Sequence, residues 1–292
     1  MHKLVFRFDI DTHKCIRDGV PNLLRTADEN GVPFTFFLNL GKAVSVKESV
    51  KEILAHRTGE AEMMTAREKL GNLDYLYAAL VNPNLYRYRK QIRALLGSGC
   101  EVGIHGGKNH ALWGKYAGQW NTERIEREID WSMARIHEID PAYKPEGFAS
   151  PEWTTPEGID EVLQKKNFAY YTDKRCSGSA NIADNSGRVP NIGVNMVGEP
   201  GGVAFFENCR VKGMKTEEIV MAVVRHAKTQ PYTVLYDHPY YAGIKELAAI
   251  ESIIKQAKSE GVQIVPLSDL VSMDKEECIS EPSLFFDRNS HL

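Results

Sequence analysis

Leu4-Val5-Phe6-Arg7-Phe8-Asp9-Ile10-Asp11 is the stretch on which the reading of the fold turns. An apolar run rich in Val and Phe, closed by acids, reads as a strand over Leu4–Asp9. Asp9 and Asp11 are two residues apart, so an extended backbone points both carboxylates to one face. Gly19–Asn30 follows, with Pro21 near its first turn and Leu23, Leu24 and Ala27 on one side, which is the pattern of a helix. Gly31 ends it, and the Phe-rich Pro33–Leu40 supplies the next strand.

The same alternation continues outward. Cys100–His105, Lys144–Ala149, Phe168–Thr172, Tyr232–His238 and Val262–Pro266 read as strands. Val46–Arg57 and Leu73–Leu96 read as helices, the second broken at Asn82-Pro83-Asn84. Asn121 or Thr122 caps a helix that carries Ile125, Ile129, Met133 and Ile136 at helical spacing. Thr155 and Pro156 suit the N-cap and first position of a helix to Lys166. Further helices are expected over Thr216–Lys228, Gly243–Glu260 and Leu267–Met273, with long loops and short strands over 174–214. Strands alternating with helices predict a parallel sheet. The expected fold is α/β: one distorted, TIM-like (β/α) barrel of about seven parallel strands. It spans 1–274, with 44–96 as a helical insertion covering the pocket and 275–292 as a C-terminal tail.

Composition narrows the function classes. Lys and Arg number 36 against 39 Asp and Glu, a formal charge of −3, which is not the strongly basic face of a nucleic-acid binder. The five cysteines, Cys15, Cys100, Cys176, Cys209 and Cys278, are scattered and form no CxxC pair. Neither a disulfide framework nor a cysteine zinc site is expected, and free thiols fit a reducing compartment. No charged segment followed by a long apolar stretch marks a signal peptide, and no window is long and apolar enough to span a membrane. A cytoplasmic protein is expected. No GxGxxG or GxxxxGK[ST] loop is present.

Polar residues gather where the strands end, and in α/β barrels that rim carries active sites. Asp9 and Asp11 end the first strand, His105 the third, Asp173 a later one, and His238 closes Tyr232–His238. Carboxylates at a strand end bind a metal, accept a proton from its water, or simply face solvent. Gly103-Ile104-His105-Gly106-Gly107-Lys108-Asn109-His110 places two histidines around a Gly-rich loop. Two imidazoles and one carboxylate leave a coordination position open for water. His238 has the chemistry of a general acid, or of a hydrogen-bonded core histidine.

These segments, taken in order, resemble the polysaccharide deacetylase (NodB-type carbohydrate esterase) superfamily over about residues 4–271. Within it the chain is most similar to deformylases of undecaprenyl-phosphate-linked formamido-arabinose. The likeness rests on Arg7-Phe-Asp-Ile-Asp-Thr, Arg17-Asp-Gly-Val-Pro, Thr35-Phe-Phe, Glu101-Val-Gly-Ile-His, Trp113, and Gly118-Gln-Trp. It continues in Pro151-Glu-Trp, Tyr171-Thr-Asp-Lys-Arg, His238 and Pro266-Leu-Ser-Asp-Leu.

The resemblance implies a metal-dependent amide hydrolase that removes a formyl or acetyl group from an amino sugar, free or lipid-linked. It makes Asp9 the catalytic base, Asp11 and His105 metal ligands, and His238 the general acid. Asp173 stands where the family places an acid that tunes that histidine. Pro151 and Trp153 form part of the pocket wall, and Arg175, Trp113 and Tyr240 are further pocket candidates. Zinc is the default metal, with cobalt, nickel, manganese or iron also suited to such a site.

Two positions depart from the family pattern. The place of the second histidine holds Asn109, with His110 next to it, so His110 is the expected ligand and Asn109 the alternative. The arginine that many members use to orient the base would fall near Ala149 and is missing, with Arg175 as a substitute. Partners follow from these readings: a small-molecule sugar or a lipid-linked sugar, the latter with peripheral contact at the inner membrane face. Rival readings are a hydrolase of a non-sugar linear or cyclic amide on the same fold, and a non-catalytic binding protein with an impaired metal site.

Overall fold

A computed structural model describes residues 2–44, 70–176, 182–183, 189–199 and 202–272. The expected helix at Val46–Arg57 and the tail at 275–292 lie outside the described residues. The strands are β1 (Lys3–Ile10), β2 (Thr35–Leu38), β3 (Glu101–His105), β4 (Gly147–Ala149), β5 (Tyr170–Tyr171), β6 (Ile182–Ala183), β7 (Asn191–Ile192), β8 (Tyr232–Asp237) and β9 (Gln263–Ile264). The helices are α1 (Val20–Asn30), α2 (Asn72–Leu80), α3 (Arg89–Leu96), α4 (His110–Tyr116), α5 (Thr122–His137), α6 (Ile159–Lys165), α7 (Phe205–Val211), α8 (Thr216–Thr229), α9 (Pro239–Lys245) and α10 (Leu247–Ser259).

Parallel pairing runs from β8 through β1, β2, β3, β4 and β5 to β7. The segment after β7 closes the ring. Val194 pairs in parallel with Arg175 on one side, and Met196 pairs in parallel with Leu235 of β8 on the other. The Asn195 side chain adds to the seam, accepting from Val234 N at 2.8 Å and donating to Tyr232 O at 2.9 Å. The expected barrel of seven parallel strands is therefore observed. β6 lies antiparallel on β7, and β9 pairs with Lys3 and Leu4 at the start of β1.

Side-chain parity explains the interior. Along β1, Leu4, Phe6, Phe8 and Ile10 face the helices and Val5 faces the axis. Arg7 and Asp9, at alternate positions with Val5, share its face. On β8, Tyr232, Val234 and Tyr236 belong to the axial core while Leu235 packs against the helices. His238 continues the axial row. A run that looks uniformly apolar thus carries two faces, and the polar residues at its end are aimed at the barrel mouth.

Several element boundaries differ from expectation. The helix after Thr155-Pro156 begins only at Ile159, because Gly158 adopts φ 76° and resets the chain. Gly243–Glu260 is two helices, α9 and α10, meeting at Glu246, whose ψ of 14° breaks the run. Within the loop region 174–214 the chain forms α7, and Leu267–Leu270 is a single 3₁₀ turn rather than a helix to Met273.

Candidate active site

The mouth of the barrel brings Asp9, Asp11, His105, His110 and His238 together. Asp11 is the hub. Its Oδ1 lies 3.2 Å from His105 Nε2 and 3.3 Å from His110 Nε2, and its Oδ2 lies 3.0 Å from His238 Nε2. Oδ1 is nevertheless buried with no well-formed hydrogen bond among the described residues. Donor atoms of Asp11, His105 and His110 all fall within 4.8 Å of one another. An orphaned carboxylate oxygen flanked by two imidazoles fits a divalent cation.

The two histidines beside Asp11 are held from behind. Nδ1 of His105 donates to Ala149 O at 2.9 Å, which leaves Nε2 facing Asp11. Gly106 turns the chain away with φ 69°. The backbone of Gly41-Lys42 then runs against the loop: Lys42 N donates to Lys108 O at 3.0 Å and His110 N to Lys42 O at 2.8 Å. A Cβ on Gly41 would stand 2.3 Å from Lys108 O, so this approach requires glycine. Asn109 is N-cap of α4: its Oδ1 accepts from Leu112 N at 3.0 Å and its Nδ2 donates to Val44 O at 3.3 Å. The amide is thus committed to the helix end, and His110 is the side chain brought to Asp11.

Asp9 is buried and sits in a fork from Arg7, with Nε on Oδ1 at 3.0 Å and Nη2 on Oδ2 at 2.8 Å. Arg7 also donates to Thr172 O and Oγ1 at 2.7 and 3.1 Å, and its guanidinium packs over Phe37, Trp153 and Tyr236. Burial opposes its charge, but Asp9 holds its pKa above the usual value. The arginine sought near Ala149 is therefore supplied from β1, two residues before the acid it grips. Strand parity places Arg7 and Asp9 on one face, a signal present in the sequence itself. Arg175, the suggested substitute, is exposed and stacks 6.0 Å from the Trp153 ring.

The charges are mutually dependent. Burial opposes ionisation of Asp11, yet His110 and His238 hold it well below the carboxylate range. Burial likewise disfavours charge on His110, which Asp11 and then Glu152 raise. For His238, burial is outweighed by Asp11, Glu207 and Asp237, which raise it to about 9.

Asp173 is placed differently from expectation. Its Oδ1 accepts from Ser150 N at 2.6 Å and its Oδ2 from the Thr155 hydroxyl at 3.1 Å, and no hydrogen bond or ion pair joins it to His238 among the described residues. It ties β5 to the Pro151 turn instead. Trp113, expected in the pocket, is fully buried against Trp120 and Phe148 and donates to Thr154 O. Pro151 is buried, and Trp153 stacks edge-on to Tyr236. Glu152 and Trp153 have positive φ of 54° and 58°, a strained pair beside the cleft. Tyr240 stacks on the His238 ring at 5.3 Å.

No family model matches the chain. It is 22% identical over 272 residues to a probable 4-deoxy-4-formamido-L-arabinose-phosphoundecaprenol deformylase of Shewanella sediminis, covering 92% of this chain and 86% of that protein. Among solved structures, a candidate polysaccharide deacetylase from Mycobacterium smegmatis superposes with a TM-score of 0.62 at 16% identity, over 97% and 93% of the two chains. The peptidoglycan N-acetylglucosamine deacetylase Bc1960, in complex with an N-hydroxybenzamide, gives 0.54 at 14% identity, over 94% and 89%. A carbohydrate esterase family 4 pseudoenzyme from Bacillus anthracis gives 0.53 at 12% identity, over 93% of this chain and 66% of that one. Set beside the closed seven-stranded ring and the polar rim, these likenesses identify the fold of this chain as that of the polysaccharide deacetylases.

Proposed function

We propose that this protein is a metal-dependent hydrolase that removes a formyl or acetyl group from the amide nitrogen of an amino sugar. The observation that carries the reading is the orphaned Asp11 Oδ1 between His105 and His110, with Asp9 and His238 on the same mouth. Asp11, His105 and His110 would hold the cation, zinc being the default for such donors. When bound, a divalent cation polarises the acyl oxygen and lowers the pKa of water.

The chain's own residues do the rest. Asp9 takes the proton of the attacking water, and the Arg7 fork keeps that carboxylate aimed at the cleft. His238 Nε2 delivers a proton to the departing amine. Trp153, half-buried beside Tyr236, is the aromatic side chain near the reacting centre that suits packing against a sugar ring, while Tyr240 backs the His238 ring. Asp173 holds the Pro151 turn that carries Trp153. The likeness to the Shewanella deformylase supports a formamido group and a lipid-linked sugar as the first substrate class to try. No helix of the described residues is long and apolar enough to cross a membrane. A cytoplasmic protein working at the inner membrane face is the corresponding location.

The test is hydrolysis of formamido and acetamido sugars before and after chelation. Amine release that chelator abolishes and added zinc or cobalt restores supports the reading. Metal binding without hydrolysis of either class would favour the non-catalytic alternative.

A further inference from the structure

We infer that Glu207, which no motif in the sequence singles out, is the residue that positions His238. It lies behind the ring to receive the Nδ1 proton while Nε2 faces the cleft. The kinetic arm of this inference rests on the hydrolase reading above; the structural arm does not.

Nδ1 of His238 is buried and has no hydrogen-bond partner among the described residues. Glu207 Oε1 lies 3.9 Å from it, and Glu207 is itself only 3% exposed. Unpaired buried ring nitrogens are rare because the lost hydration is not recovered. Side-chain rotation of about 1 Å would bring the pair to hydrogen-bond distance. The surroundings hold Glu207 for that contact. The Tyr240 hydroxyl donates to Oε1, and the Tyr240 ring stacks on His238. Asp237 joins the two elements, accepting from Phe206 N at 2.7 Å and from His238 N at 2.8 Å. The first turn of α7 is thereby stapled to the end of β8, with Glu207 facing the imidazole. Asp173 cannot fill this role as placed, since both its oxygens are engaged elsewhere. Histidines that act at a reacting centre or a metal are commonly fixed in tautomer and orientation by an acceptor on the far nitrogen.

The experiment is proton–nitrogen NMR of the ¹⁵N-histidine-labelled, metal-loaded protein. A low-field Nδ1–H resonance, assigned by its absence in His238→Gln, should move upfield in Glu207→Gln and stay in place in Asp173→Asn. If Glu207→Gln does not fold, Glu207→Asp withdraws the carboxylate by one methylene and should shift the resonance partway. A resonance unmoved by either Glu207 change, or moved by Asp173→Asn alone, overturns the inference. Kinetically, Glu207→Gln should lower kcat on an amide by about 10- to 100-fold with KM and metal content held. An aryl ester, whose phenolate leaves without a proton, should lose far less. Equal losses on amide and ester would mark Glu207 as structural and overturn its positioning role. Should the wild type hydrolyse neither, the hydrolase reading falls, and the resonance still decides the role of Glu207.

Discussion

The barrel interior carries carboxylates at both ends, and their surroundings are opposite. At the floor, Glu101 Oε1 accepts from the Tyr170 hydroxyl at 2.8 Å. Its Oε2 accepts from the Thr35 hydroxyl at 2.8 Å and from Leu267 N at 2.8 Å. Every donor is neutral, each oxygen is satisfied, and the group joins β2, β3, β5 and the turn after β9. At the rim, Asp11 has an unsatisfied oxygen and three imidazoles within 3.3 Å. Burial raises the Glu101 pKa, whereas the histidines drive that of Asp11 down. A satisfied carboxylate among neutral donors ties strands together; a charged one flanked by imidazoles has the donor set that suits a cation.

The largest expected effect breaks the rim. Asp11→Ala should abolish metal binding and lower amide hydrolysis by more than about 10³-fold, because it removes the hub of the cation site. Elemental analysis alongside the assay checks both. Asp9→Asn should follow, with kcat down by about 10² to 10⁴ while metal content stays at the wild-type level. Loss of metal in Asp9→Asn would make Asp9 a ligand rather than a base.

The floor should behave in the reverse way. Glu101→Ala removes the acceptor of the Tyr170 and Thr35 hydroxyls, while Leu267 N keeps Thr35 Oγ1 at 2.9 Å, at a cost of about 1–3 kcal/mol in urea denaturation. Metal stoichiometry should not change. If Glu101→Ala removed metal without loss of stability, the contrast between the two ends would fail.

A smaller effect concerns pH. In the metal-free protein the folded pKa of His238, about 9, lies above its ordinary 6.5. Its pairing with Asp11 therefore stabilises the fold fully below pH 6.5, and that contribution disappears as pH rises through 9. Chelator-treated protein should denature at lower urea at pH 9.5 than at pH 6. In His238→Gln this difference should shrink.

Much of the rim was legible because it obeys local rules. Asp9 and Asp11 share a strand face, and His105 follows an apolar strand, so each could be placed from its neighbours in sequence. What was missed depends on neighbours across the fold. Arg7 grips Asp9 through the parity of a single strand, but its other anchors, Thr172 and Trp153, come from distant segments. Thr155 looked like a helix cap and instead donates to Asp173. Asn109, the alternative ligand to His110, is the cap of α4, a short helix that periodicity alone does not announce. Glu207 lies in a stretch read as loop, and only the β8–α7 packing brings it to His238. The barrel was readable from alternation, yet its closure depends on Val194 and Met196, isolated pairings with no strand signature.

The most direct test is bound metal in the purified, zinc- or cobalt-reconstituted protein, compared with His105→Ala, His110→Ala and Asn109→Ala. About one equivalent is expected in the wild type, lost in both histidine variants and retained in Asn109→Ala. No metal in the wild type after reconstitution would rule out the cation site at Asp11, and loss in Asn109→Ala with retention in His110→Ala would move the ligand to Asn109.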